Sequence, residues 1–558
     1  MNDIKQVNPV RRLTEEVVTL AVDFLAPRDI DLPGLDRWLT EAIEIDPADF
    51  RATTGERDRG ETSHAQDFLF RVLALSRLLF QLGRLPMFDL PDMDALERHD
   101  TKAQKYRARV SFPLIDLIPN FCYQLVLRTA LESCIWAAQT PFNDENRRKF
   151  YDTIEEKGIK PLHRRVRAGK STIPVLRVAH RLGIPFIHLG LGVYQLGWGS
   201  KARRMDRSTT ERDSAMGSVL SQNKVATASL LRMAGLPAPV HAVVGNEANA
   251  LAAAEKIGFP VVVKPADRDR GEGVAVDIAD ESGLKVAFEN ARKMARNKQV
   301  IVERQVHGVC HRLFIANGKL LYAVKRLPMS VTGDGRHTVA DLVDKEVSNQ
   351  QGKAPWSRSE IRPIDELALV ALKQAGFSPE SVPEAGVRVP LRRIESTEWG
   401  GVDEEVSDQI HPENLSVAIR TAELFGLHVA GIDIITDDIS VPWHEIGAIV
   451  NEVNFAPLLG GGDISRRHIP IFLSEFIQGN GKIPLEVFTN DEAAAHNRRD
   501  ELIRQGLRCY LIVGSGAIDQ QGGAVKFPFN SLRRMVRALI CRVDVDAIVV
   551  ASGTEKLG

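Results

Sequence analysis

The sequence predicts a multidomain protein of mixed α/β and α+β class. A mostly helical N-terminal domain that turns α/β toward its end occupies 1–204, a central strand-and-helix domain 205–480, and a small C-terminal α/β module 481–558. The length of 558 residues suits roughly three or four separate cores. The texture changes near 205, where charged segments without tight hairpin signals give way to short apolar runs alternating with helical patterns. It changes again at Gly481, where Gly481-Lys-Ile-Pro-Leu-Glu-Val-Phe-Thr489 opens a further strand-and-helix pattern.

Composition excludes several function classes. Lys plus Arg number 72 and Asp plus Glu 73, so the net charge of −1 gives no global field for nucleic acid or membrane. The basic clusters Arg203-Arg204 with Arg207, and His163 to Lys170, read as solvated faces, and aromatic residues, at 6%, are too sparse to interleave as stacking platforms. Cys122, Cys134, Cys310, Cys509 and Cys541 are odd in number and form no CxxC pair, which argues against a disulfide framework or a structural zinc site. MNDIKQVNPVRR lacks an apolar core of signal-peptide length, and Phe121–Ala138 carries Arg128 and Glu132, so it reads as a buried helix of a cytoplasmic protein.

In chain order, Thr172 to Gly183 reads as a helix stopped at Gly183, followed by the apolar run Ile184 to His188. Gly169-Lys170-Ser171-Thr172 is not a phosphate loop, because the first glycine of GxxxxGK[ST] would fall on Arg164. Ser208-Thr-Thr-Glu211 has capping-box spacing, and the helix around Lys224 runs to Gly235, where Pro237 and Pro239 forbid continuation. His241 to Val244 reads as a strand, Asn246 as the cap of an alanine-rich helix ending near Gly258, and Pro260 to Lys264 as a buried strand closed by a lysine. The loop Ala266 to Val274 holds Gly271 and Gly273, whose backbone could close on an anion. Gln299 to Glu303 reads as a strand, and Leu313 to Arg326 as a hairpin turned at Asn317-Gly318. A loop-rich section spans about 345 to 412.

The segments Gly431 to Asp438 and Ile449 to Pro457 carry the chemistry. Glu452 and Asn454 are two apart on a strand pattern and share a face; Asp433 on a neighbouring strand supplies a third oxygen. Hard oxygens in so sparse a set suit Mg²⁺, which takes its remaining ligands from water and phosphate, while the bland alternative is two half-buried strands with polar edges.

The order of these features resembles ATP-grasp ligases. Tyr194-Gln-Leu-Gly-Trp-Gly199, Ala323-Val-Lys325-Arg326, Gly333-Asp-Gly-Arg-His-Thr338, His411-Pro-Glu-Asn414 and Ala430-Gly-Ile-Asp433 are similar to the ATP-grasp half of cyanophycin synthetases, from about 155 to 480. The resemblance implies an ADP-forming ligase that activates a carboxylate as an acyl phosphate and joins it to an amine. It implies ATP with one or two Mg²⁺ ions, replaceable by Mn²⁺, on Asp433, Glu452 and Asn454. Lys224 and Lys264 match the phosphate-holding lysines, Glu303 with the backbone near Val302 the adenine-reading position, and Gly271, Gly273 and Lys325 complete the nucleotide set. Arg312 and Arg393 match arginines that meet the substrate carboxylate or acyl phosphate, although each taken alone reads as a surface charge. The implied partners are small amino acid or peptide substrates and further copies of the chain, with no nucleic acid and no membrane.

The departures bear on substrate. A loop usually closer to Asp-Gly-Asn-His-Gly-Arg-Gly reads Asp267-Arg-Asp-Arg270-Gly271-Glu272-Gly273, acidic residues expected before the arginine are Val309-Cys310-His311, and an expected Asn-Leu-Ser-Thr-Gly-Gly is Glu395-Ser-Thr-Glu-Trp399-Gly400-Gly401. The strand ending at Thr489 is similar to the opening of a Mur-ligase-like second half. Asn490-Asp491-Glu492 stands where a GTNGKT phosphate loop would follow, lacking both glycine and lysine, so a single nucleotide site is expected. Two rival readings are a degenerate nucleotide-binding scaffold, or partner subunit, and phosphotransfer without ligation.

Overall fold

The computed structural model describes residues 9–26, 29–50, 62–100, 104–166, 169–268, 272–359, 361–393, 395 and 400–553. Six sheets organise them.

The N-terminal part is helical where expected: Ser63–Leu82 and Asn120–Ala138 pack together, burying Phe68, Phe80, Tyr123 and Val126 in one large core. Beside them the structure adds a three-stranded antiparallel sheet, Val17–Leu25, Lys105–Pro113 and Asp92–Asp100, that the mainly helical reading did not anticipate. Asp92-Met-Asp-Ala-Leu-Glu-Arg-His-Asp100 is charged on both faces, so it carries no apolar alternation for a sequence reading to detect. Ser208–Glu211 does not open a helix. Thr209–Thr210 pairs with Arg203–Asp206, Asp213 accepts from Thr210 N and from His428 N, and the next helix starts at Ala215 under a Ser214 cap.

Two antiparallel sheets frame the centre. The smaller runs Ala275–Ile278, Val261–Pro265, Val300–Arg304, His241–Val244; Val261, Val263, Val300 and Val302 pack on the helices Glu247–Ile257 and Glu281–Met294. The larger runs Val402–Glu405, Lys319–Leu327, Val309–Ala316, Val429–Thr436, Ile449–Phe455. On one of its faces Leu313, Ala323, Ile432 and Val453 meet helix Pro412–Leu424. On the other, Phe314, Tyr322 and Val324 meet helix Asp463–Phe476, which covers only part of that face. The hairpin turns at Asn317 and Gly318 with φ of 52° and 70°, the doubly left-handed turn that Asn-Gly tolerates. Within the section read as loop-rich lie helix Glu366–Gln374 and strand Arg388–Pro390; the strand pairs with Ser330–Thr332 ahead of that section, and all three share a small core with Val339 and Val343.

The C-terminal sheet runs Leu485–Thr489, Ala547–Ser552, Cys509–Val513, Gly516–Ile518, Ala524–Lys526, with its first two pairings parallel. Its core includes Leu13, Ile187 and Trp198, so this module is packed against both the helix Pro9–Thr14 and the Val193–Leu196 hairpin region. No helix among the described residues is long and apolar enough to cross a membrane.

Candidate active site

Register on the larger sheet builds a row of side chains. Glu405, Val324, Arg312, Asp433 and Glu452 are direct partners across successive strands, and Phe314, Gly431 and Asn454 form the next row. Direct partners in an antiparallel sheet point to one face. That face is apolar where Asp463–Phe476 covers it and charged where the helix stops.

Arg312 Nε and Nη2 donate to Asp433 Oδ1 and Oδ2 at 2.7 and 2.6 Å, a two-pronged contact on a carboxylate whose side chain is only 3% exposed. Burial opposes the charge on Arg312, but the charge and hydrogen bonds of Asp433 outweigh it and hold the guanidinium well above its ordinary pKa. The fork leaves Nη1 unspent, so Arg312 is anchored and can still donate. Gly431 keeps its lane open: a Cβ there would lie 3.4 Å from Arg312 Cδ and 3.2 Å from Pro457 Cβ. Asn454 Nδ2 donates to Asp433 Oδ2 at 3.1 Å and to the Gly431 carbonyl at 3.2 Å, leaving its Oδ1 as an acceptor beside Glu452.

These oxygens fit a cation with few protein ligands. Glu452 and Asn454 Oδ1 are the natural first donors, and Asp433 Oδ1, which takes one donor from Arg312, keeps a second lone pair that could join them. Among the described residues there is no cluster of three His, Cys, Asp or Glu that could hold an ion by itself, so water and phosphate would have to complete the shell.

On the smaller sheet, Lys264 Nζ donates to Glu303 Oε1 at 2.5 Å, with side chains 12% and 10% exposed. The two residues expected to hold phosphate and read adenine are thus joined in one ion pair. Val302 sits between two partner strands with its side chain in the core. Lys224 opens helix Lys224–Met233, which packs on the Glu452 strand, and its Nζ reaches the Arg268 carbonyl at 2.8 Å in the loop after Lys264. Gly273 has φ of 71°, and a Cβ there would meet Pro265 Cγ at 2.9 Å, so packing alone explains this glycine. Gly271 lies outside the described residues, as do Arg270 and Ser396 to Trp399.

Arg393 and Lys325 are placed apart from the Asp433 group. Arg393 Nη2 bonds Asp277 Oδ2 at 2.9 Å at the edge of the smaller sheet. Lys325 pairs in register with His311 and Glu404, one residue out of phase with Arg312, so it points to the opposite face. Its neighbour Arg326 takes the position facing the site: Nη1 is 4.0 Å from Asp433 Oδ2, and Nε 3.9 Å from Asp403 Oδ1. Sequence reasoning missed Arg326, although strand parity with Arg312 could have found it once the hairpin register was fixed.

Residues 223–312 match the family described as the carbamoyl-phosphate synthase L chain ATP binding domain, a span that holds Lys224, Lys264, Glu303 and Arg312. The chain is similar to ATP-grasp proteins. Cyanophycin synthetase of Trichormus variabilis is 34% identical to it over 303 residues, which are 54% of this chain and 33% of that one. The glutathione biosynthesis bifunctional protein of Mannheimia succiniciproducens is 29% identical over 265 residues, 45% of this chain and 34% of that one. The chain thus spans about a third of the length of the curated relatives it matches. A solved bifunctional glutathione synthetase from Pasteurella multocida aligns at a TM-score of 0.43 and 19% identity, covering 66% of this chain and 64% of that one.

Proposed function

We propose that the chain is an ADP-forming carboxylate–amine ligase, joining an amino acid or amino-acid derivative to a second amine through an acyl phosphate. The observation that carries this is the open end of the sheet face, where the Arg312 fork on Asp433 and the Arg326 guanidinium lie beside the Glu452 and Asn454 oxygens. Cations and hard oxygens side by side suit a reaction that moves phosphate onto a carboxylate.

Lys224 and Lys264 offer compact positive charge to the nucleotide phosphates. The substrate carboxylate oxygen attacks the γ-phosphorus, and the bond to the departing ADP oxygen breaks. The amine then attacks the acyl carbon, phosphate leaves with the electron pair of the carbon–oxygen bond, and the nitrogen loses its proton. Arg312, fixed by Asp433, and Arg326 would hold the oxygens that carry charge through both steps. Mg²⁺ held by Glu452 and Asn454, with Asp433, would neutralise phosphate charge. In the C-terminal module Asp491 accepts from Ala494 N and caps helix Glu492–Arg504, filling with a carboxylate the helix end where a second phosphate would otherwise sit, which supports one nucleotide site.

The test incubates the purified chain with Mg²⁺, ATP and pools of amino acids, and follows ADP, phosphate and any new mass equal to two substrates less water. A condensed product is expected, and Glu452→Gln should remove most turnover without changing the melting temperature. ADP without a condensed product would replace ligation by phosphotransfer, and nucleotide binding without hydrolysis would leave a scaffold.

A further inference from the structure

Among the described residues, the three-stranded sheet of the N-terminal part ends in two unpaired edges, and they are built differently. Strand Asp92–Asp100 forms one. Charges run along it, and its pairing with Lys105–Pro113 slips between Met93 and Ala95 and again between Arg98 and Asp100, irregularities that keep an edge from accepting another strand. Strand Val17–Leu25 forms the other. Its nine residues pair with Lys105–Pro113 without a shift, and it holds no proline or lysine. Its single charge, Asp23, is held by Arg107 through two hydrogen bonds of 2.7 and 3.0 Å.

The backbone of this second edge faces outward in a fixed pattern. Leu114 N donates to the Glu16 carbonyl and Ala26 N to the Gln104 carbonyl, so in that register the even-numbered residues bond to Lys105–Pro113. The odd-numbered ones, Val17, Thr19, Ala21, Asp23 and Leu25, turn N–H and C=O to the free side, where no backbone group of the described residues meets them. Their side chains line the exposed face, with Val17 60% and Leu25 51% exposed. On the core face Val18 and Phe24 are buried, but Leu20 and Val22 between them are only partly covered.

We propose that Val17–Leu25 pairs antiparallel with the same strand of a second copy of this chain, about a two-fold axis through Ala21, making one continuous sheet from both copies. The strand is self-complementary about that centre. Val17 falls opposite the partner's Leu25 and Thr19 opposite the partner's Asp23, apolar on apolar and polar on polar. Odd residues meet odd residues, so each outward N–H and C=O gains its mate. On the core face Val18 falls opposite the partner's Phe24 and Leu20 opposite the partner's Val22, which covers the two half-exposed side chains. The two Asp23 carboxylates stand about 14 Å apart along the ladder, so like charges do not meet.

Sedimentation of the full chain over a range of concentrations should show a monomer–dimer equilibrium. Ala21→Pro removes only an outward N–H and leaves the bonds to Lys105–Pro113 in place; it should weaken the dimer roughly tenfold or more, with the melting temperature of the diluted chain unchanged. Ala21→Lys and Ala21→Glu each set like charges opposite one another at the axis and should weaken the dimer severalfold, and an equimolar mixture of the two should restore it. Misfolding would not produce that rescue. Amide exchange in 17–25 should slow as concentration rises, while that in 92–100 stays constant. A chain that is monomeric throughout overturns the pairing, and so does a dimer of unchanged strength in all three variants. Protection of 17–25 that is independent of concentration would mean that the chain covers this edge itself, and overturns it too.

Discussion

The closest ion pairs within the two central sheets are built on different principles. On the larger sheet Arg312 grips Asp433 with two donors from the strand directly opposite. On the smaller sheet Lys264 meets Glu303 through one contact between residues two positions out of direct register, because Lys264 is paired with Ile301 and Glu303 with Val262. The first geometry fixes direction; the second leaves a compact charge that can turn toward a ligand. A planar fork suits an orienting role at the reacting atoms, and a swivelling ammonium suits phosphates that arrive and leave.

Asp433→Asn should break the comparison most severely. It strips the charge opposite a largely buried guanidinium, a change of about 3–5 kcal/mol in stability, and should lower both the melting temperature and turnover. Arg312→Lys, which keeps charge but loses the fork, should fold yet lose most turnover; full activity would refute an orienting role. Lys264→Arg should be the milder change, raising the KM for ATP with kcat nearly kept, whereas Lys264→Ala should weaken nucleotide binding by roughly tenfold or more, as expected for a lost charge-assisted contact. Equal sensitivity of both sheets to fork-for-ammonium exchange would erase the distinction.

Two smaller effects sharpen it from outside the site. Arg508 hydrogen-bonds Asp546 and holds its carboxyl below the ordinary carboxylate range. The folded pKa is depressed, so the stabilisation is complete above the unfolded carboxylate value near pH 4 and fades as pH falls through the folded value. Asp546→Asn should therefore lower the melting temperature by a few degrees at pH 7, and the gap to the wild type should close in strong acid. Asp491→Ala should cost about 1 kcal/mol through the lost helix cap, read by chemical denaturation, with ligase turnover unchanged.

Short-range features were the legible ones. Asn317-Gly318 and the Asn246 cap depend on backbone preferences a few residues wide, and the structure has both. The oxygens of Glu452 and Asn454 share a side of their strand by parity alone. What sequence could not supply was register. Lys325 and Arg326 differ by one residue, and only the pairing of His311 with Lys325 decides which faces the Asp433 row. The mutual bonding of Lys264 and Glu303, and the spending of Asp213 on His428 across the fold, are likewise long-range contacts with no local signal.

The core shared by Leu13, Trp198 and Ile548 has a consequence for how the chain is made. During synthesis the helix Pro9–Thr14 emerges long before Leu485–Thr489 and Leu532–Ile540, the strand and helix it packs on. Until these leave the ribosome, Leu13 has no finished pocket to enter, so this corner of the molecule closes late and presents sticky surface to a chaperone in the meantime.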